Sequence, residues 1–339
     1  MMARTFEKRR VGQTELEVTT LGLGGATLAG SFRPVSAEQA RATVSHALDS
    51  GITYIDTAPH YGAGRSEHLV GDVLRERREG AVLSTKVGRL FKAARGPLEN
   101  KTEFIDPLPF APTYDYSYDG VMRSFEDSQQ RLGLSSIDIL YVHDIGTATH
   151  GTEGNKPLWE QLATGGYKAL RELRDSGAVK AIGLGVNEWQ VLMDAFALGD
   201  WDLFLLAGRY TLLEQTSLDP FLATCLQRGA SVVIGGPFNS GILAGGSTFN
   251  YGKAPEEIVA KVRALEAVCR DFSVPLPAAA LRFPLAHPAV CNVLPGARSP
   301  QEVEGILEWW FTDIPDELWS TLADQGLLAP GTPIPGGFA

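Results

Sequence analysis

The stretch from Ile52 to Lys86, ITYIDTAPHYGAGRSEHLVGDVLRERREGAVLSTK, constrains the fold more than any other part of the chain. A short apolar run, ITYI, ends on Asp56, and a loop carrying Pro59, Tyr61, Gly62 and Gly64 follows. Leu69, Val70, Val73 and Leu74 then recur at helical spacing, and a second apolar run, AVLST, ends on Lys86. Strands joined through a helix are usually parallel, because the crossover returns the chain to the same end of the sheet. Asp56 and Lys86 are therefore expected at one shared C-terminal edge, with Tyr61 on the loop beside them. In parallel α/β folds that edge is where chemistry is done.

The same alternation continues along the chain. Strands are read near residues 21, 52, 81, 137, 180, 203, 231 and 290, with helices between nearly all of them. Residues 4–20 read as a small β-hairpin turning at Gly12-Gln13. Ser36 is placed to cap a helix with Gln39 as reciprocal partner, and Ser299, Pro300 and Glu302 open another. Residues 88–118 are rich in proline and aromatics without periodicity, and are read as a structureless lid or binding loop. Residues 145–157 are read as a second, polar loop, followed by a helix to Ser176. No shift in composition divides the chain. The expectation is one domain over residues 1–339: a (β/α)8 TIM barrel with a short N-terminal β-hairpin.

Composition removes several classes of function. Lys plus Arg number 30 against 40 Asp plus Glu, a net charge of −10, and no basic run is present, which argues against nucleic acid as the partner. Cys225, Cys269 and Cys291 are far apart and lack metal-ligand spacing, so they are read as buried thiols and no metal is expected. No signal-peptide core and no membrane-length apolar run is seen, so a soluble, cytoplasmic protein is expected, a monomer or small homo-oligomer. TLGLGG resembles half of a dinucleotide fingerprint, but Thr27 stands where its third small residue belongs, so a Rossmann site is not expected there.

On a barrel the strand ends share one mouth. They bring Asp56, Lys86, His143 and Asn187 together, with Tyr61 on the loop after the second strand. Each residue alone has an ordinary reading as a cap, a solvated charge or a satisfied core group. Together they form a proton-transfer unit. A phenol, with a pKa near ~10, needs a nearby cation to serve as a base at neutral pH. A carboxylate fixes the lysine, and an imidazole orients the reacting oxygen. Without metal ligands, the two electrons of a carbonyl–alcohol interconversion require an organic cofactor.

The segments DTAPHYGAGRSEHLVG, STKVGR, DILYVHD and GVNEW resemble the aldo-keto reductase family, over essentially the whole chain. Within it the chain looks most like bacterial aldose 1-dehydrogenases of the L-fucose and D-threo-aldose type and like pyridoxal 4-dehydrogenase. The resemblance implies that Asp56, Tyr61, Lys86 and His143 form the catalytic tetrad. It also implies NAD(P) extended across the barrel mouth, against Gly25, Ala26, Asn187, Ser240, Gly241, Leu243, Gly296, Arg298 and Glu302. His60, Phe91 and Trp189 are the implied substrate contacts. Three positions depart from the family pattern. Val186-Asn187 replaces Ser-Asn, Ala207 replaces a glutamine, and Gly235 replaces the tyrosine that stacks on nicotinamide. Where NADP-preferring relatives carry lysine and arginine, this chain has Gly296 and Glu302, so NAD is expected to be preferred over NADP. Glu302 has an alternative reading, the completion of a capping box with Ser299. The implied reaction oxidises a cyclic hemiacetal, of an aldose or of pyridoxal, to a lactone. The competing readings are an NADPH-dependent carbonyl reductase and a non-catalytic redox-sensing subunit.

Overall fold

A computed structural model describes residues 5–95 and 103–336. Its centre is a set of eight strands: β1 (Gly22–Gly24), β2 (Tyr54–Asp56), β3 (Val82–Val87), β4 (Ile139–His143), β5 (Ala181–Val186), β6 (Leu203–Ala207), β7 (Ser231–Gly235) and β8 (Val290–Leu294). Each pairs in parallel with the next in chain order. Val293 N–H donates to the Thr20 carbonyl at 2.8 Å and Gly24 N–H to that of Pro295 at 2.9 Å, so β8 returns to β1 and the barrel closes.

The period-two pleat divides each strand between two cores. On β4, Ile139 and Tyr141 face the barrel interior with Val82, Leu203, Leu205, Val233 and Cys291. Leu140 and Val142 face outward, into the larger core under the helices. Glycine occupies inward positions of β5 because space is short there: a Cβ on Gly183 would lie 1.9 Å from the Leu203 carbonyl oxygen. The expected hairpin is present, with Lys8–Arg10 antiparallel to Glu17–Thr19. Its Val11, Leu16 and Val18 join the interior core, and Gly12 N–H donates to Ser231 Oγ at the start of β7. The hairpin thus seals the end of the barrel opposite the strand C-termini.

Two segments correct the sequence reading. Arg89–Ala93 and Phe110–Tyr114 form an antiparallel ribbon rather than a structureless loop; residues 96–102 of that stretch lie outside the described residues. The ribbon is largely exposed and has Pro112 within it, so no alternating apolar signal marks it. Residues 147–157, read as loop, are already helical, in Thr147–Gln161, with a break at Gly151 (φ 68°). Thr147–Gln161 buries none of its residues and so carries no apolar stripe to reveal it. The other expected caps are present: Ser36 Oγ accepts from Gln39 N–H, and Ser299 Oγ accepts from Glu302 N–H. Among the described residues no helix is long and apolar enough to cross a membrane.

Candidate active site

The pleat that builds the interior also builds the site. Asp56, Lys86 and His143 are inward residues at the C-terminal ends of β2, β3 and β4, all at most 5% exposed. Lys86 Nζ donates to Asp56 Oδ2 at 2.6 Å and to the Thr57 carbonyl at 2.9 Å. Gly185 on β5 leaves room for the lysine stem, since a Cβ there would sit 3.3 Å from Lys86 Cε. Burial pushes the Asp56 carboxyl up and the Lys86 ammonium down, and each one's charge opposes the shift of the other.

One inward step below lie Tyr54, Ser84 and Tyr141, all fully buried. Ser84 Oγ donates to Asp56 Oδ1 at 2.6 Å, and Tyr54 Oη lies 3.0 Å from both Ser84 Oγ and Tyr141 Oη. An ionised carboxylate only accepts, so the chain is oriented: Tyr141 donates to Tyr54, Tyr54 to Ser84, and Ser84 to Asp56.

Tyr61 comes from the β2 loop. Its ring centroid is 4.8 Å from Lys86 Nζ, and it meets the His143 ring edge-on at 5.8 Å. Burial first, and then the charge of Asp56, hold the Tyr61 phenol well above its ordinary value, while Arg89 pulls the other way. Lys86 therefore does not by itself bring the phenol into the neutral range in the free protein, contrary to the expectation from charge proximity alone. His143 is held well below the usual imidazole range by burial, and then by the positive charges of Arg89 and Lys86.

Arg89 is the main residue that the sequence reading missed. It is 4% exposed; Nη1 lies 3.0 Å from His143 Nδ1, and Nη2 donates to Asp144 Oδ2 at 2.7 Å. Phe104 belongs to the aromatic-rich stretch 88–118 that was read as a binding loop, and it reaches the cluster. Its ring lies 5.4 Å from that of His60 and 6.0 Å from that of Tyr61. His60 joins the cluster as expected, 5.9 Å from His143 and 3.5 Å from the Glu103 carboxylate. Phe91 is placed elsewhere: its ring packs 5.9 Å from the Arg131 guanidinium, with no ring contact to the cluster among the described residues. Trp189 begins the helix Trp189–Ala195 and packs against the outer core.

The expected nucleotide contacts ring the same mouth. Gly25 N–H donates to the Asp56 carbonyl at 2.7 Å, just before the Ala26 turn, and Gly296 bridges Gly24. Ser240 and Gly241 have positive φ (63° and 103°), whereas Leu243 is fully buried and offers only backbone. Asn187 Nδ2 donates to Tyr251 Oη at 3.2 Å, and Tyr251 stacks on Phe32 at 6.4 Å. An aromatic side chain thus reaches the mouth from the β7 connection, although Gly235 supplies none. Glu302 N–H donates to Ser299 Oγ at 3.2 Å, but its carboxylate does not return to Ser299 N–H, so the box expected with Ser299 is only half formed. The carboxylate accepts from Arg298 N–H at 2.8 Å beside the helix start, and pairs with the Arg298 guanidinium at 3.4 Å. Arg298 Nε is buried without a partner at the N-terminus of the helix Pro300–Trp310, and Gly241 faces open space. An unpaired guanidinium nitrogen at the positive end of a helix suits a phosphate-bearing nucleotide.

A closed parallel barrel with a buried carboxylate–lysine pair, a tyrosine and an imidazole at its mouth defines a barrel oxidoreductase. Residues 20–325 match the model of the aldo/keto reductase family. The chain is 49% identical to pyridoxal 4-dehydrogenase of Microbacterium luteolum, over 97% of this chain and 100% of the relative. It is 37% identical to D-threo-aldose 1-dehydrogenase of a Pseudomonas species, over 92% and 95%. In fold it is similar to a glycerol dehydrogenase from Gluconobacter oxydans, with a TM-score of 0.72, full coverage of both chains and 23% identity. The chain belongs to the aldo-keto reductase family, whose members use nicotinamide cofactors.

Proposed function

We propose that this protein oxidises a cyclic hemiacetal to a lactone with NAD(P), with an aldose pyranose as substrate. Asp56, Tyr61, Lys86 and His143 are the catalytic residues in this reading. The observation that carries it is the buried Asp56–Lys86 pair, with Tyr61 and His143 both facing the same mouth. Pyridoxal, in its internal hemiacetal form, is a second reading. It is favoured by the 49% identical relative and by the flat Phe104 ring beside Tyr61.

Tyr61, as phenolate, takes the proton of the anomeric hydroxyl. Arg89 opposes the burial cost of that phenolate, Lys86 lies beside the ring with Nζ 4.8 Å from its centroid, and Asp56 holds Lys86 in place. His143 orients the reacting oxygen. Phe104 packs on the apolar face of the ring, and the His60–Glu103 pair offers polar groups to its hydroxyls. The chemistry that an oxidised nicotinamide would supply when bound is acceptance of the hydride, the electron pair that leaves the anomeric carbon as its hydroxyl proton goes to Tyr61. Arg298, the helix start at Pro300 and the loop at Ser240–Gly241 would hold that nucleotide. With Glu302 occupying Arg298, NAD is preferred to NADP.

The test is a panel of aldoses, pyridoxal and open-chain aldehydes with NAD and NADP in both directions, following nicotinamide absorbance and identifying products by mass. Lactone formation from a hemiacetal is expected, and Tyr61→Phe should lower turnover by about 10²–10⁴-fold with nucleotide affinity unchanged. Reduction of open-chain aldehydes with no lactone formed would replace this reading with a carbonyl reductase.

A further inference from the structure

Arg89 is a nearly inaccessible cation beside the candidate imidazole. A guanidinium has donors only. With Arg89 Nη1 3.0 Å from His143 Nδ1, that ring nitrogen must be the acceptor, and the ring proton of a neutral imidazole must sit on Nε2. Asp144 holds Arg89 in position through Nη2, and the Tyr114 ring lies 5.2 Å from the guanidinium carbon. Asp144 adopts a left-handed backbone (φ 49°), unusual for a side chain with a Cβ, while its N–H is fixed to the Gly185 carbonyl. His143 itself is fixed from behind, because Tyr116 Oη donates to its carbonyl at 2.7 Å.

We propose that Arg89, held by Asp144, is the positioning residue that fixes His143 as its Nε2–H tautomer, so that the imidazole presents a donor and never a lone pair to the reacting oxygen. This rests on the reading of His143 as the group that orients substrate. Arg89 has a second effect, on Asp144. The Asp144 carboxylate lies 3.5 Å from His143 Nε2, close enough to compete for that proton were it not engaged by the guanidinium. The other groups facing the ring are Lys86, His60 with its partner Glu103, and the Tyr61 phenol. The first two oppose protonation of His143, as Arg89 does. Arg89 thus keeps the imidazole neutral, selects its tautomer and withholds the nearby carboxylate from its donor.

Two-bond ¹H–¹⁵N spectra of the ¹⁵N-labelled protein test this without any substrate, with His143 signals assigned by their loss in His143→Gln. The wild type should show the Nε2–H pattern unchanged across about pH 5–8, the range in which histidines usually titrate. In Arg89→Met the freed Asp144 takes the Nε2–H, so His143 should titrate within that range. Turnover should fall by roughly 10²-fold, in kcat rather than nucleotide affinity, with kcat/KM declining further as pH falls, because the Nε2–H is then engaged by Asp144 instead of the reacting oxygen. Arg89→Lys should retain the tautomer and part of the activity. Should Arg89→Met fail to fold, Arg89→Met combined with Asp144→Asn removes both charges of the pair and should give mixed tautomers. An Nδ1–H wild type would overturn the proposal. So would a substituted protein whose spectrum and pH profile match the wild type. A failure to oxidise hemiacetals would leave the spectra intact, and so would count against the proposed reaction alone.

Discussion

The hydroxyl chain beneath Asp56 makes Ser84→Ala an informative substitution. Ser84 is fully buried, and its Oγ donates to a carboxylate at 2.6 Å while accepting from Tyr54 at 3.0 Å. A hydrogen bond to a charged group contributes about 1.5–3 kcal/mol, and a stranded buried hydroxyl costs about 1–3 kcal/mol. Tyr54 keeps Tyr141 as a partner and can reverse its donation, so the second figure applies at its lower end. A net loss of about 2–4 kcal/mol is expected, a large share of the ~5–15 kcal/mol typical of a folded protein. The lost bond favoured the ionised carboxyl alone, so the Asp56 carboxyl should move further up from its ordinary value. Lys86 is then less firmly held beside Tyr61, and kcat should fall, though by less than in Tyr61→Phe. Guanidinium unfolding at neutral pH measures the stability term. The double variant Ser84→Ala/Tyr54→Phe should lose less than the sum of the two single variants, since the Tyr54–Ser84 bond is lost only once, although Tyr141 Oη then lacks its partner. A loss below about 1 kcal/mol, with the two substitutions strictly additive, would refute the oriented chain.

Other substitutions test other parts of the site. Phe104→Ala should raise substrate KM by about tenfold or more while nucleotide affinity, read by fluorescence, stays unchanged; equal losses in both would make Phe104 structural. Glu302→Gln should raise the kcat/KM ratio of NADP to NAD by about fivefold, because one exposed charge contact at ~4 Å is worth about 1 kcal/mol; an unchanged ratio would separate Arg298 from the 2′-phosphate. Glu67 is fully buried, 2.5 Å from Arg131 Nε and 2.7 Å from Thr85 Oγ1. Glu67→Ala should destabilise the protein by about 3–5 kcal/mol, visible in the unfolding midpoint, because it strands a guanidinium.

The barrel was legible because short apolar runs and amphipathic helices alternate, each with its own period. The charged strand ends were legible too, since Asp56, Lys86 and His143 each close an apolar run. The layer beneath them was written two residues earlier, as Tyr54, Ser84 and Tyr141 in YID, STK and YVH. Reading it required the register between strands, which sets Asp56 opposite Ser84 and Lys86 opposite Tyr141. Arg89 lay in plain view in STKVGR, but its partners are 54 and 55 residues away, and nothing local points to them. Tyr251 reaches Asn187 across 64 residues and was equally hidden. The ribbon and the helix at Thr147–Gln161 were missed for a different reason: elements that bury little leave no periodic trace.

The hairpin that seals the barrel carries a consequence for synthesis on the ribosome. Arg9 donates to the carbonyls of Leu285 and Val290, 276 and 281 residues later. Chains grow at about 5–20 residues per second, so the hairpin emerges roughly 15–55 s before its acceptors exist. Throughout that interval Val11, Leu16 and Val18 have no barrel to enter, and a two-stranded hairpin is barely stable alone. The hairpin is thus made long before the strand it must join, and a nascent chain stalled before Leu285 would expose those side chains to whatever chaperone or protease is nearby.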